Sequence, residues 1–349
     1  MCNKNLIGDL ETGNDKGKFG FVAHIIAEHP NGPRGDTVLS ALLKDEPKNL
    51  MLLCHPHHKL IDEDEPDNYP EQRLLDIKRE HEERIGTLTA IRSERASHVL
   101  RYGAKIGALE SPVSLERVRL AMLPRRYPAG GSSIGIEIRG SAATDGEDAF
   151  WGTEPQNLQR QFNTLVRPRL ADREIEHLSV FGLGPIPLLV KLGSLLGDII
   201  PADVYQLHRE PAGWVWAEDG PTLDFKVEEP TSRGSVAALK LSISGSISSE
   251  RVQAVLGKDV PIWSVDCAPV GNDVMRHEGD LREFRRLMRS LYDRIKLHHG
   301  EDAKIHVFPA IPVSVAIELG RVRMPKADLP LVVYDNRPET GFVPRLEIT

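Results

Sequence analysis

The residues best suited to hold a metal and move a proton are His24, Asn49, Cys54, His57 and His58. Cys54 and His57 stand at C-x-x-H spacing, where a tight turn lets a thiolate and an imidazole grip one Zn²⁺. His24, Asn49 and His58 form a second set whose oxygen and nitrogen donors suit a catalytic divalent cation such as Mg²⁺ or Mn²⁺. Imidazole is the best-matched general base at neutral pH, and a cation neutralises charge on a leaving oxygen. His29, His55 and His81 read as structural, His81 lying mid-helix in K-R-E-H-E-E-R.

The elements that must position these groups are short. Phe21–Ile26 reads as a strand carrying His24, followed by a turn at His29–Pro33. Leu50–Leu53 is apolar and too short for a helix, so it is expected to be a buried strand. A helix is expected from Pro70 to Ile85, with Leu74, Ile77 and Ile85 on the face that packs against the hairpin. The acidic run Asp62–Asp67 reads as a solvated approach to that helix.

This H…N…H order resembles the HNH endonucleases, the ββα-metal nucleases. The resemblance implies that His24 is the general base, Asn49 fixes the loop and His58 is a metal ligand. Many members carry an acidic ligand just before the base, where this chain has Ala23, so Asp62 or Asp36 is expected to supply that oxygen. Structural zinc in this family usually comes from two Cys-x-x-Cys-like pairs. Only Cys2 stands at the front here, so the start is expected to be shortened, or the zinc site to be three-liganded or empty.

The remaining bounds are broad. At 349 residues with a formal charge of -7, the chain is long enough for two domains and is not a wholly basic nucleic-acid binder. A nuclease with that balance is expected to concentrate its basic residues near the site or to bind DNA once assembled. Cys2, Cys54 and Cys267 indicate a reducing compartment, and with no signal peptide or membrane-length apolar run the expectation is a cytoplasmic protein. A second helical stretch is expected over Thr87–Leu109. Residues 1–110 thus form the nuclease domain. Residues 111–131 read as a Pro/Gly-punctuated linker, made basic by Arg117, Arg119, Arg125 and Arg126 and able to meet DNA phosphates.

From Ser133 to the end the texture is α/β. Strands are expected at Ser133–Arg139, His177–Phe181, Asp203–Leu207, Leu239–Ser244, Ile262–Ala268 and Lys304–Phe308, with Trp214–Trp216 and Leu223–Val227 as a hairpin. Helices are expected at Gln156–Asp172, Ile186–Leu196 and Asp280–His298. V-F-G-L-G-P-I-P-L-L-V-K-L-G (Val180–Gly193) is echoed by V-F-P-A-I-P-V-S-V-A-I-E-L-G (Val307–Gly320), and 307 − 180 and 320 − 193 both give 127. Two strand–turn–helix–strand units side by side would present their turns at strand carboxyl ends, where ligands bind and helix N-termini favour phosphate. Such a pseudo-symmetric pocket suits a ligand that repeats itself, such as a cyclic di- or trinucleotide.

H-L-S-V-F-G-L-G-P-I-P-L, V-Y-Q-L-H-R…W-V-W, W-S-V-D-C-A-P and F-P-A-I-P-V-S-V-A…G-R resemble a SAVED domain, two fused CARF-like Rossmannoid halves that sense cyclic oligonucleotides. With the hairpin, the whole chain is similar to HNH–SAVED effectors of CBASS anti-phage defence, residues 132–349 being the sensor. The resemblance implies that a CD-NTase-type synthase makes a cyclic oligonucleotide, that binding it drives homo-oligomer assembly, and that the HNH domains then degrade double-stranded DNA with little sequence preference. The alternative is a nucleotide-sensing, DNA-binding protein whose HNH domain is inactive. Expected ligand contacts are Gly184 and Pro185 in the first turn, Ile311, Pro312 and Ser314 in the second, Arg209 after the returning strand, and Pro269 from the side. One of Trp214 and Trp216 is expected to face in and one out, so that a base can stack on one of them. Arg321 and Arg323 are expected to face a neighbour.

Overall fold

A computed structural model describes residues 7–9, 14–18, 20–109, 111, 113–137, 143–220, 222–337 and 339–349. The chain divides into two compact units, Met1–Arg92 and Ser93–Thr349. Among the described residues no helix is long and apolar enough to cross a membrane.

In the first unit, strands β1 (Gly20–His24) and β2 (Leu50–Cys54) pair antiparallel, with Ala23 opposite Met51 and His24 opposite Leu50. The chain passes directly from β2 into the short helix α1 (His55–Lys59) and, after two further turns, into the long helix α2 (Glu71–Thr89). Alternation puts Ala23, Met51 and Leu53 on one side, where they bury with Ile25, Ile61 and Leu74. This is a ββα arrangement with a small core.

In the second unit residues 96–103 form strand β3 (Ala96–Gly103), which corrects the second helical stretch expected over Thr87–Leu109. Val99, Leu100 and Tyr102 are buried, as in a strand covered on both faces, which lacks the strict alternation of a half-exposed one. The stretch read as a linker also carries structure. Helix α3 (Leu115–Met122) buries Val118, Ala121 and Met122, an apolar stripe masked in the sequence by its arginines. Arginines in and just after the helix are engaged within the fold: Arg119 donates to the Gly131 carbonyl, Arg125 pairs with Glu278, and Arg126 lies 2.6 Å from Asp203.

The first sheet is parallel. Strand β4 (Ile134–Glu137) pairs with β3, which pairs with β5 (Leu178–Leu183), which pairs with β6 (Ala202–Tyr205). Helix α4 (Asp148–Leu165) starts earlier than the expected Gln156, because Phe150, Trp151 and Glu154 bury on its first turns. Helix α5 (Ile186–Leu196) links β5 to β6.

The second sheet runs β7 (Asp224–Glu228), β9 (Ile262–Ala268), β8 (Val236–Ser242), β10 (Lys304–Ala310), β11 (Leu331–Arg337) and β12 (Gly341–Ile348), with antiparallel strands at its two edges. Helix α6 (Glu278–His299) precedes β10, and α7 (Val313–Val322) links β10 to β11. Strand β7 pairs with β9, so the expected hairpin between residues 214–216 and 223–227 does not form. Helices α5 and α7 pack on each other between the two sheets, α7 against β5 and β6 and α5 against β11 and β12. The architecture is mixed α/β.

Candidate functional site

In the first unit Asn49 is buried and closes the loop between the two strands. Its Oδ1 accepts from the Ile26 N–H at 2.8 Å, and its Nδ2 donates to the carbonyls of Ile26 (2.9 Å) and Leu43 (3.2 Å). His24 Nε2 lies 3.0 Å from the Lys44 carbonyl, so the same loop orients the ring. His58 Nε2 is 3.5 Å from Asp62 Oδ2, one helical turn on, and Phe21 sits beside the rings of His55 and His58. Cys54 Sγ and His57 Nδ1 approach to 3.0 Å at the start of α1.

Arg34 is the residue that sequence reasoning missed. It adopts a φ of 57°, in the left-handed region. Its guanidinium donates to the carbonyls of Ile25 (2.7 Å), Ile61 (2.9 Å) and Tyr69 (3.4 Å) and to Asp62 Oδ1 at 2.5 Å. One cation thereby ties the end of β1, the segment after α1 and the approach to α2. The signal was present in G-P-R-G, where an arginine stands between two turn-forming glycines.

The fit to metal is partial. Among the described residues no group of three or more His, Cys, Asp or Glu side chains converges on one point. Cys54 with His57 gives two donors, and His58 with Asp62 gives two more, but an arginine already engages the carboxylate. Asp36 caps a turn, accepting from the Val38 and Leu39 N–H groups at 2.8 Å. Cys2 lies outside the described residues. Among the described residues the donors do not complete a zinc or hydrolytic-metal set.

In the second unit the turns entering α5 and α7 come to one edge, at the carboxyl ends of the parallel strands. Gln206, just past β6, accepts from Ser314 N (3.1 Å) and Ser314 Oγ (2.7 Å) at the start of α7, joining the two halves. Gly184, Pro185, Ile311, Pro312 and Ser314 are all buried. A Cβ on Gly184 would lie 3.1 Å from that of Ala104, so this turn packs against the end of β3. Arg209 and Pro269 are exposed at the same edge.

Trp214 and Trp216 both face inward, at 4% and 8% exposure, with Val215 outward at 60%. Positions two apart share a face, so the expected in-and-out pair is corrected. Trp214 packs edge-on to Phe181, and Trp216 edge-on to His208. Arg321 is buried as well, donating to the carbonyls of Ala202 and Ile200 and pairing with Glu318, while Arg323 donates to the Leu329 carbonyl. Neither guanidinium faces outward, because each satisfies carbonyls that helix and strand ends leave open.

Two charged clusters frame this edge. Asp273 accepts from the backbone N–H groups of Arg209 and Glu210 and pairs with Arg276 at 2.7 Å. Buried His208 lies 3.7 Å from Asp273, with neither ring nitrogen hydrogen-bonded among the described residues. Burial depresses the His208 pKa, with Asp273 pulling the other way. Across the edge Arg337 bridges Asp335 (3.0 Å) and Asp145 (3.5 Å), and burial, then Asp145, raises the Asp335 carboxyl.

The family described as the SMODS-associated and fused to various effectors sensor domain, SAVED, matches residues 158–348. Solved structures of the Acinetobacter baumannii Cap4 SAVED/CARF-domain containing receptor are similar. The form with the cyclic trinucleotide 2'3'3'-cAAA has a TM-score of 0.45 at 13% identity, covering 72% of this chain and 51% of that one. The form with 3'3'3'-cAAA has a TM-score of 0.44 at 11% identity, covering 72% and 52%. The chain thus spans about half the length of these receptors. Comparison with curated proteins gives no match.

Proposed function

The chain belongs to the SAVED sensor-domain family, and from that premise we propose that it is a two-part CBASS anti-phage effector. In this reading a cyclic oligonucleotide binds the second unit and licenses the first to cut double-stranded DNA. The observation that carries it is the duplication, which brings two strand–turn–helix units to one edge and links them through Gln206 and Ser314. A cyclic di- or trinucleotide repeats its phosphates and bases, so a site built from two related halves is complementary to it. Because the turn residues are buried, binding requires the loops around Arg209 and Pro269 to part, and that movement gives the ligand a conformational lever.

The front unit supplies the output. In this reading His24 is the base that takes a proton from attacking water, a role supported by the loop that Asn49 closes beside its ring. The hydrolysis requires a divalent cation whose donor set the described residues supply in part. Assembly into an oligomer on ligand binding accounts for an enzyme that is silent without signal, and a cytoplasmic setting follows from the target.

A second reading is favoured by one observation. Arg34 occupies the carboxylate of Asp62, and Ala23 stands in the core where an acidic ligand is usual, so the front unit docks DNA without cutting it. Supercoiled plasmid incubated with Mg²⁺ or Mn²⁺ and a panel of cyclic oligonucleotides separates the two. The nuclease reading predicts ligand-dependent cutting abolished by His24→Ala; no cutting with any ligand that shifts the melting temperature supports the docking reading instead.

A further inference from the structure

A groove of about 500 Å³ runs along the flank of α4, bounded by α4, Lys191 of α5 and the end of β12. Lys191 is half-buried, and among the described residues no carboxylate acts on its ammonium. Burial first, and then the charge of Arg323, push its ammonium below the usual lysine range. A desolvated cation without a counter-charge is unfavourable, so the groove favours an anion.

The internal repeat provides a comparison within the same chain. At the 127-residue offset Lys191 corresponds to Glu318, which is buried and paired with Arg285 at 3.2 Å and Arg321 at 2.5 Å. The second copy therefore fills this position with its own ion pairs, whereas the first leaves a cation open to a cavity. The other charges in the groove do not offset it. Arg160 donates to the Asn157 carboxamide, and Glu347 is held by Lys304 at 2.7 Å.

Three carboxamides, Gln156, Gln159 and Asn163, line the rest of the groove beside Pro155, Thr164 and Leu346. Gln156 Nε2 donates to the Gly152 carbonyl, and Gln159 Nε2 to Asn163 Oδ1. The carbonyl oxygens of Gln156 and Gln159 and the amide of Asn163 remain to face a ligand. Carboxamides match the paired donor and acceptor on the edge of adenine, and lysine and arginine match phosphate. A volume in this range suits a small molecule.

We propose that this groove binds a nucleoside monophosphate, with its phosphate on Lys191 and Arg160 and its base edge on the carboxamides of α4. The site is separate from the strand-end edge proposed for the cyclic oligonucleotide, so loss of one need not disturb the other.

Isothermal titration of the full chain with AMP, using inorganic phosphate as a probe for the anion alone, tests this. AMP is expected to bind one per chain, with phosphate weaker by about tenfold or more. Lys191→Gln and Asn163→Leu are each expected to weaken AMP by about tenfold while leaving the response to cyclic oligonucleotides unchanged. Absence of AMP binding at millimolar concentration, equal affinity for AMP and phosphate, or AMP binding unaltered in both variants overturns the proposal. Asn163 is exposed, so that variant keeps the test decisive even if Lys191→Gln fails to fold.

Discussion

Gly193 and Gly320 lie against each other where α5 crosses α7, and each is the place where the opposite helix comes closest. A Cβ on Gly193 would stand 1.9 Å from the Ile317 carbonyl oxygen and 2.9 Å from Arg321 N. One on Gly320 would stand 2.0 Å from the Val190 carbonyl oxygen and 2.8 Å from Ser194 N. These partners are related by the same 127-residue offset as the glycines, so the contact is reciprocal about a local pseudo-two-fold axis. The aromatic core repeats with it. Phe181 stacks on Tyr205 at 4.3 Å with Trp214 edge-on, and Phe308 stacks on Tyr334 at 4.4 Å with Phe342 edge-on.

Alanine at either glycine should therefore destabilise the second unit. Helix propensity alone would favour alanine by about 1 kcal/mol. Overlap with backbone atoms that cannot rotate away outweighs this, and a net loss of about 2–3 kcal/mol is expected in urea unfolding of the full chain. A gain in stability for both variants would mean that the helices do not approach so closely.

Arg34→Ala should destabilise the first unit by about 3 kcal/mol, because it leaves Asp62 without its cation and the carbonyls of Ile25 and Ile61 without their donor. Arg34→Lys should recover only part of that loss, since one ammonium cannot span the same set of acceptors. Chemical denaturation monitored by hydrogen exchange in residues 20–89 measures this locally. Equal stability of Arg34→Ala and wild type would refute the bracing role.

Asn49→Asp is expected to cost about 2 kcal/mol, a conclusion that follows from its two donated bonds. A carboxylate still accepts from the Ile26 N–H but sets negative charge against the carbonyls of Ile26 and Leu43. Because the same loop carries the Lys44 carbonyl beside His24, any DNA cleavage should fall along with stability. A variant with full stability and full cleavage would contradict the loop-closing role.

Acid should weaken the second unit through Asp203. Burial acts to raise this carboxyl, but hydrogen bonds and charge from His177 and Arg126 outweigh it and hold its pKa at about 2. A depressed folded-state pKa contributes stability that is full above the unfolded value of about 4 and disappears as pH falls towards about 2. Asp203→Asn should therefore flatten the loss of stability between about pH 4 and 2 in urea titrations. An unchanged acid limb would show that this pair contributes nothing to it.

Much of this was legible in the sequence because periodicity and repetition carry the physics directly. The repeat predicted two strand–turn–helix–strand units, and the run L-M-L-L predicted β2. Residues 96–103 misled because a strand buried on both faces loses the alternation that distinguishes it from a helix. The arginines in and just after α3 hid its apolar stripe, since the partners of Arg125 and Arg126, Glu278 and Asp203, are distant in sequence. G-P-R-G marked a turn at Arg34 but not its bracing role, which depends on carbonyls at residues 25, 61 and 69 that only the fold brings together.

Calorimetric titration of the intact chain with a panel of cyclic di- and trinucleotides, each beside its linear form, tests the proposed ligand site most directly. One ligand per chain is expected, with the cyclic form far tighter than the linear one and the affinity lost in Gly320→Ala, where the two halves can no longer close on each other. Heat from no cyclic oligonucleotide in the panel, or two equal and independent sites per chain, would contradict a single pocket built from a duplicated unit.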